Sequence, residues 1–358
     1  MNIFYIVIFI TYILALLARI LKDKNNKPNL TLTIIISVIL IIVSGLRNGI
    51  GDTSAYVHSY NLIGPEYDFN NSGYEIGFVF FMSMLKKISE NPQFFLIITS
   101  IIINLTNVLT IRYYSKDIYF ELLIFLYSST TYIGAMNGIR QSMVASLVFM
   151  CTMLIAKRKF KVYLLIMLLL STFHVSVLFV IPLYFIAIQE PWSKKINILI
   201  FIFCVCMLFY DPVITLIFSL LGDSKYAGYK DFNEGGANIL RIAVSFVPVF
   251  LSYIKRDYIK QNWIDGNIFV NLSLVNFLVM CISYYNWIFA RISFYTQIYS
   301  GILLVYIISK SLKNKSEKRL LYYLYIVFYC VFSVHDLKVS GIIYTSNYTI
   351  IDFFYNII

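Results

Sequence analysis

LTLTIIISVILIIVSGLRNGIGDTSAY, Leu30 to Tyr56, decides the fold. Its first part, Leu30 to Leu46, carries no charge and then meets Arg47 at its end. An uncharged apolar run of that kind reads as a membrane span when others like it recur along the chain. They do recur, from Asn2–Leu21 to Leu320–Val334, separated by short basic loops. The 358 residues are 59% hydrophobic and 18% aromatic, and only 13% are charged. A soluble domain is nearer one quarter charged, so the composition describes an integral membrane protein. The expected fold class is all-α, a polytopic helix bundle forming a single transmembrane domain over 1–358. The first run has no basic n-region and no small-residue cleavage site, so it reads as a retained helix.

The net charge of +11 sits mostly in loops between spans, where positive charge sets orientation. No nucleic-acid partner is implied; the basic loops face cytoplasm and anionic membrane lipid. All five cysteines, Cys151, Cys204, Cys206, Cys281 and Cys330, lie inside apolar runs and read as packing residues.

Lys22–Lys27, Arg112–Lys116, Lys157–Lys161, Lys255–Lys260 and Lys310–Arg319 are the basic loops, and all five are placed in the cytoplasm. Alternation of spans then puts Arg47 outside, with an external loop over 47–92. That loop holds a short apolar piece, Tyr74–Leu85, expected to lie in the interface or to re-enter. Spans follow at Phe94–Ile111, Ile118–Gly134 and Ile139–Ala156. Val162–Ile188 is broken by Thr172, Phe173 and His174, and reads either as one span or as two short helices. Ile196–Leu221 is interrupted by Asp211 and Pro212, and an external loop follows over 222–238. Ile239–Ile254, Ile268–Tyr285, Ile288–Ser309 and Leu320–Val334 complete about ten spans.

Six ionisable residues, Arg47, Asp52, Arg140, His174, Arg241 and Arg291, thereby gather at the external helix ends. Charges beside hydrocarbon are costly and mark functional sites by default. Four arginines at one face suggest an anion such as a diphosphate. Each alone also fits an interfacial anchor, although snorkelling to anionic lipid favours the cytoplasmic side.

Around Arg47, Gly45, Gly49 and Gly51 permit tight turns, and Arg47 and Asp52 form an ion pair or share a ligand. Arg140 opens a helix after Asn137-Gly138, where the dipole favours anions and a guanidinium forks onto phosphate oxygens. His174 interrupts an apolar run. Such a histidine is most often a satisfied core residue, yet it is also the easiest general base at neutral pH. Glu66, Asp68 and Glu75 are carboxylates in the first external loop, and an acidic pair there is a weak cation signal. Tyr226 and Tyr229, beside Lys225 and Lys230 in the second loop, suit sugar stacking or an aromatic belt. No P-loop, G-x-S-x-G or H-E-x-x-H motif is present.

Five blocks carry a family likeness: Gly45-Leu46-Arg47…Gly51-Asp52…Tyr56, Tyr74-Glu75-Ile76-Gly77-Phe78, Ile139-Arg140-Gln141-Ser142, Phe173-His174-Val175-Ser176 and Ala290-Arg291-Ile292…Tyr295. In these the chain resembles the EpsG family of bacterial polysaccharide polymerases, similar in role to Wzy. Val177 departs from the small residue usual after the His174 block, and the likeness around Arg241 is looser. The resemblance implies a GT-C-like bundle in the bacterial cytoplasmic membrane. It implies polymerisation of undecaprenyl-diphosphate-linked oligosaccharide repeat units into capsule, exopolysaccharide or O-antigen at the external face. A flippase and a chain-length regulator of the same pathway would be partners.

The expected chemistry is inverting glycosyl transfer with no cofactor and no metal. Arg140 and Arg291 hold the diphosphate first, with Arg47 and Arg241 supporting. His174 takes the acceptor proton in preference to Asp52, while Glu75, Tyr226 and Tyr229 contact the substrate. Alternatives are an O-antigen ligase, a flippase for lipid-linked oligosaccharide, a membrane O-acyltransferase and a structural partner of an export complex.

Overall fold

The computed structural model describes residues 3–64, 73–212, 214–215 and 235–348. Among these residues every regular element is helical. The helices are α1 (Ile3–Ile20), α2 (Leu30–Gly45), α3 (Thr53–Leu62), α4 (Ile76–Lys86), α5 (Pro92–Tyr114) and α6 (Phe120–Leu126), then α7 (Tyr132–Asn137) after a π turn at Tyr127–Thr131. Next come α8 (Ile139–Met150), α9 (Thr152–Ala156) and α10 (Phe160–Ser171), a 3-10 turn (Val175–Phe179), α11 (Val180–Ala187) and α12 (Lys194–Leu208). The remainder comprises α13 (Ile239–Ile254), α14 (Arg256–Asn262), α15 (Gly266–Ile282), a 3-10 helix (Trp287–Tyr295), α16 (Gln297–Tyr306) and α17 (Lys315–Ser340).

Four stretches are long and apolar enough to cross a membrane: Ile3–Ile20, Pro92–Tyr114, Ile139–Ala156 and Lys315–Ser340. A bent pair, Trp287–Tyr295 with Gln297–Ser311, makes five. The protein is thus a multi-pass, all-helical membrane protein, but helix length supports fewer spans than the ten expected. Several apolar runs of the sequence do not form one straight helix. Ile118–Gly134 divides around the Tyr127–Thr131 π turn, and Ile288–Ser309 bends by 59°. Val162–Ile188 is a pair of short helices, parting at Thr172–His174.

The chain forms two compact units, Met1–Ile181 with Ile308–Ile358, and Pro182–Ile307. In the first, α2 packs on α5, α1 on α2 and α6, and α5 on α8. Its core includes Tyr56, Tyr60, Phe78, Phe95 and Met143. Basic loops meet at one end of these helices: Arg112 Nη2 contacts Asp23 at 2.6 Å, Lys22 lies 3.6 Å from Asp117, and Arg19 Nε reaches the fully buried Glu121 at 2.6 Å. Outward faces stay apolar, with Phe9, Leu165 and Leu169 all exposed, as lipid contact requires. In the second unit α13, α15 and α16 pack together around Val249, Leu274 and Leu278.

Candidate functional site

At the end of the first unit opposite its basic loops, α2 stops at Gly45 and α5 starts at Pro92, with Gln93 Nε2 donating to the carbonyls of Gly45 and Arg47. Arg47 is buried, at 2% exposure. Its Nη1 donates to the Ser44 carbonyl at the helix end, and Nε donates to Thr53 Oγ1 at 3.1 Å. The expected Arg47–Asp52 ion pair does not form. Thr53 takes the guanidinium, while Asp52 is exposed and engaged through its backbone, its N–H donating to Asn137 Oδ1 at 2.9 Å and its carbonyl accepting from Tyr56 N–H at 3.1 Å. Burial without a carboxylate pulls the Arg47 guanidinium down to about 10. Beside it lies a cavity of about 10 Å³ lined by Ser44, Thr99, Asn104 and Tyr132, no larger than one water.

Gly51 explains the close approach of Asn137. Its φ is +54°, and a Cβ there would fall 1.9 Å from Asn137 Oδ1. One residue on, Gly138 interrupts the helical path, so α8 opens at Ile139 and Arg140 falls in its first turn.

Arg140 is the hub. Nη1 forms an ion pair with Glu75 Oε2, and Nε donates to the Tyr56 hydroxyl at 3.4 Å. The guanidinium stands 4.5 Å from the centre of the Tyr74 ring, which stacks on Tyr56 at 5.7 Å. Such a face-on cation gains electrostatically from the ring quadrupole. Burial pushes the Tyr56 hydroxyl up, against the opposing pull of Arg140. The other Glu75 oxygen, Oε1, accepts from the Val175 N–H at 3.2 Å. Glu75 thereby ties Arg140 to the residue following His174.

The His174 turn is docked by backbone. Both Gly77 and Phe78 N–H groups donate to the Thr172 carbonyl, at 2.8 and 3.3 Å. A Cβ on Gly77 would lie 2.2 Å from Thr172 Oγ1, so this contact needs glycine. His174 caps the 3-10 turn: Nδ1 is 2.8 Å from Ser176 Oγ and accepts from Ser176 N–H at 3.3 Å.

A C-terminal strap crosses the Arg47 loop. Asn48 N–H donates to the Thr345 carbonyl at 2.9 Å, and Asn347 N–H donates to Asn48 Oδ1 at 3.1 Å. Sequence reasoning did not assign the strap, nor a role to Tyr56, Tyr74 or Gln93. An arginine with tyrosines in the neighbouring blocks was the available signal for the aromatic cage.

The second unit holds the other two arginines. Arg241 is exposed in the first turn of α13, and Arg291 is exposed on the 3-10 helix, 5.1 Å from the Trp287 ring centre. Trp287 N–H donates to the Gly235 carbonyl at 3.1 Å and Ala237 N–H to Ser283 at 2.7 Å, lacing these segments into one end of that unit. Tyr226, Tyr229, Glu66 and Asp68 lie outside the described residues.

A multi-pass helical membrane protein with an arginine–carboxylate–tyrosine cluster joined to a histidine turn is the class these features define. The chain belongs to the EpsG family, whose model matches residues 30–350, the family of Wzy-like polysaccharide polymerases. No curated protein and no solved structure matches it. Membership connects the chain to polysaccharide biosynthesis.

Proposed function

We propose that this protein polymerises undecaprenyl-diphosphate-linked oligosaccharide repeat units at the external face of the cytoplasmic membrane, by inverting glycosyl transfer. The observation that carries the reading is the joining of three sequence-distant blocks through one carboxylate. Glu75 binds Arg140 with one oxygen and the N–H after His174 with the other.

The growing chain sits on its carrier diphosphate. A hydroxyl of the incoming unit attacks the anomeric carbon, forming the new C–O bond as the bond to diphosphate breaks. Charge grows on the leaving phosphate oxygens, and a preorganised guanidinium stabilises such charge by a few kcal/mol per donor. Arg140 gives two N–H groups to Tyr56 and Glu75, and its remaining donors serve the phosphate. His174 accepts the hydroxyl proton and returns it to the departing diphosphate or to water. It is preferred to Asp52 because Glu75 links its turn to Arg140, whereas Asp52 is bonded only through its backbone. Arg47 supports the loop that shapes the site. Arg241 and Arg291 are carried as further diphosphate ligands on the charge topology of the sequence alone, as are Tyr226 and Tyr229 as sugar contacts.

The test is the sugar profile of cells lacking the protein and of cells carrying Arg140→Ala or His174→Ala. Loss of long polymer, with single lipid-linked units accumulating outside the membrane, is the expected result. Units trapped on the cytoplasmic side would instead mean a flippase. Full-length polymer missing only its final attachment would mean a ligase.

A further inference from the structure

A cavity in the second unit shares no lining residue with the Arg140–Glu75–His174 cluster. It is a groove of about 420 Å³ at the Lys255–Lys260 end of α13 and α14. Glu190, Trp192, Tyr253, Arg256, Asp257 and Lys260 line it. Glu190 is taken by an ion pair with Lys260. That leaves one cation and one carboxylate, Arg256 and Asp257, facing the same space. Arg256 is held over the Tyr253 ring, 4.7 Å from its centre.

Two further features show an unfinished site. Trp192, on the groove wall, has its Nε1 buried with no hydrogen-bond partner. Buried polar atoms are nearly always satisfied, so orphans at a cavity wall call for an explanation. Trp192 also has φ +61°, a left-handed conformation that is an outlier for a bulky residue and that gathers at ligand clamps. The two helices that border the groove, α12 through Asn197 and α13 through Ser252 and Tyr253, carry exposed apolar flanks, Ile198 and Phe201 on one, Phe250 and Ile254 on the other.

We propose that this groove binds the headgroup of an amine-bearing phospholipid. The phosphate meets Arg256 and the ammonium meets Asp257, with the acyl chains lying along the two apolar flanks. One charge of each sign selects a zwitterionic headgroup over a purely anionic one. The flanks select a lipid over a free anion.

Native mass spectrometry of the full-length protein, delipidated in a non-ionic detergent and titrated with phosphatidylethanolamine or phosphatidylglycerol, tests this. The wild type should retain one phosphatidylethanolamine about tenfold better than phosphatidylglycerol, the effect of one charge-assisted contact. Arg256→Gln should lower retention of both lipids, while Asp257→Asn should erase the preference alone. Both side chains are exposed, so neither change disturbs the core. Equal retention of the two lipids by the wild type, or retention unchanged in both variants, would overturn the proposal. Displacement of bound lipid by millimolar inorganic phosphate would also overturn it, since the groove would then recognise a free anion.

Discussion

A guanidinium buried without a carboxylate is the least expected residue in this structure. Arg47 satisfies two donors on Ser44 and Thr53, but its charge has no opposite partner among the ion pairs of the described residues. Its folded pKa, about 10, lies below the ordinary guanidinium value of the unfolded chain. Between those values the unfolded chain binds more protons, so the stability contributed by this group rises with pH across that window. At neutral pH the charge is therefore a net cost to folding. Arg47→Met removes that cost and orphans two acceptors, a loss of about 1–3 kcal/mol in the other direction. The variant is expected to melt within a few degrees of the wild type at pH 8 and to fall relative to it at pH 11. It should nonetheless make little polymer. Thermal melts in detergent at the two pH values, beside polymer yield in cells, check this. A large drop in melting temperature at pH 8 would mean that the charge is satisfied and serves the fold alone. Arg140 differs in kind: it has a carboxylate, a ring face and a side chain still 19% exposed.

Element boundaries place the site, and α4 shows how. Its first N–H groups need acceptors, which a side-chain cap usually supplies. Here Glu75 stands at the cap position but makes no cap bond, because the Thr172 carbonyl takes the Gly77 and Phe78 N–H groups instead. The carboxylate is thereby released for Arg140 and Val175. Gly77 is the condition for this arrangement. Gly77→Ala would force α4 away from Thr172, and a shift of about 1 Å at a reacting site costs on the order of a hundredfold in rate. Gly49→Ala is the matched control, since no atom lies within 4 Å of a Cβ there. Polymer yield at equal membrane abundance is the readout. Full yield from Gly77→Ala would show that docking of α4 on the histidine turn is dispensable. Little of this was legible beforehand. Hydropathy located the apolar piece Tyr74–Leu85, and the motif blocks contained Glu75, Arg140 and His174. The contact between Glu75 and Arg140 joins residues 65 apart and depends on a backbone cap that no periodicity encodes. The break at Thr172–His174 was legible from its polar residues, whereas the π turn at Tyr127–Thr131 was not, because a run of serine and threonine can also sit inside a regular span.

Charge placement along the whole chain was more legible, because it follows from loop composition rather than from contacts. In the first unit, α2 runs from Asn29, near the Asp23–Arg112 pair, to Gly45, beside Gln93. The basic loops and the Arg47–Arg140 cluster therefore occupy opposite ends of the same helices, as span alternation required. In the second unit, α13 runs from Asn238, near Arg241, to Lys255, and Lys260 meets Glu190 at that end. Lys194 and Lys195 follow Glu190 closely, which agrees with two short helices over Val162–Ile188 rather than a single span. The positive-inside bias predicts that the arginine-cluster end faces outside, and this can be measured directly. On a background with the five free cysteines replaced, Gly49→Cys and Lys24→Cys each place one thiol at an exposed position. A membrane-impermeant maleimide should label Gly49→Cys in intact cells and label Lys24→Cys only after permeabilisation. The reverse pattern would put the arginine cluster in the cytoplasm. Polymerisation of exported repeat units would then be untenable whatever the fate of Arg140→Ala, because a donor diphosphate outside the membrane would never reach it.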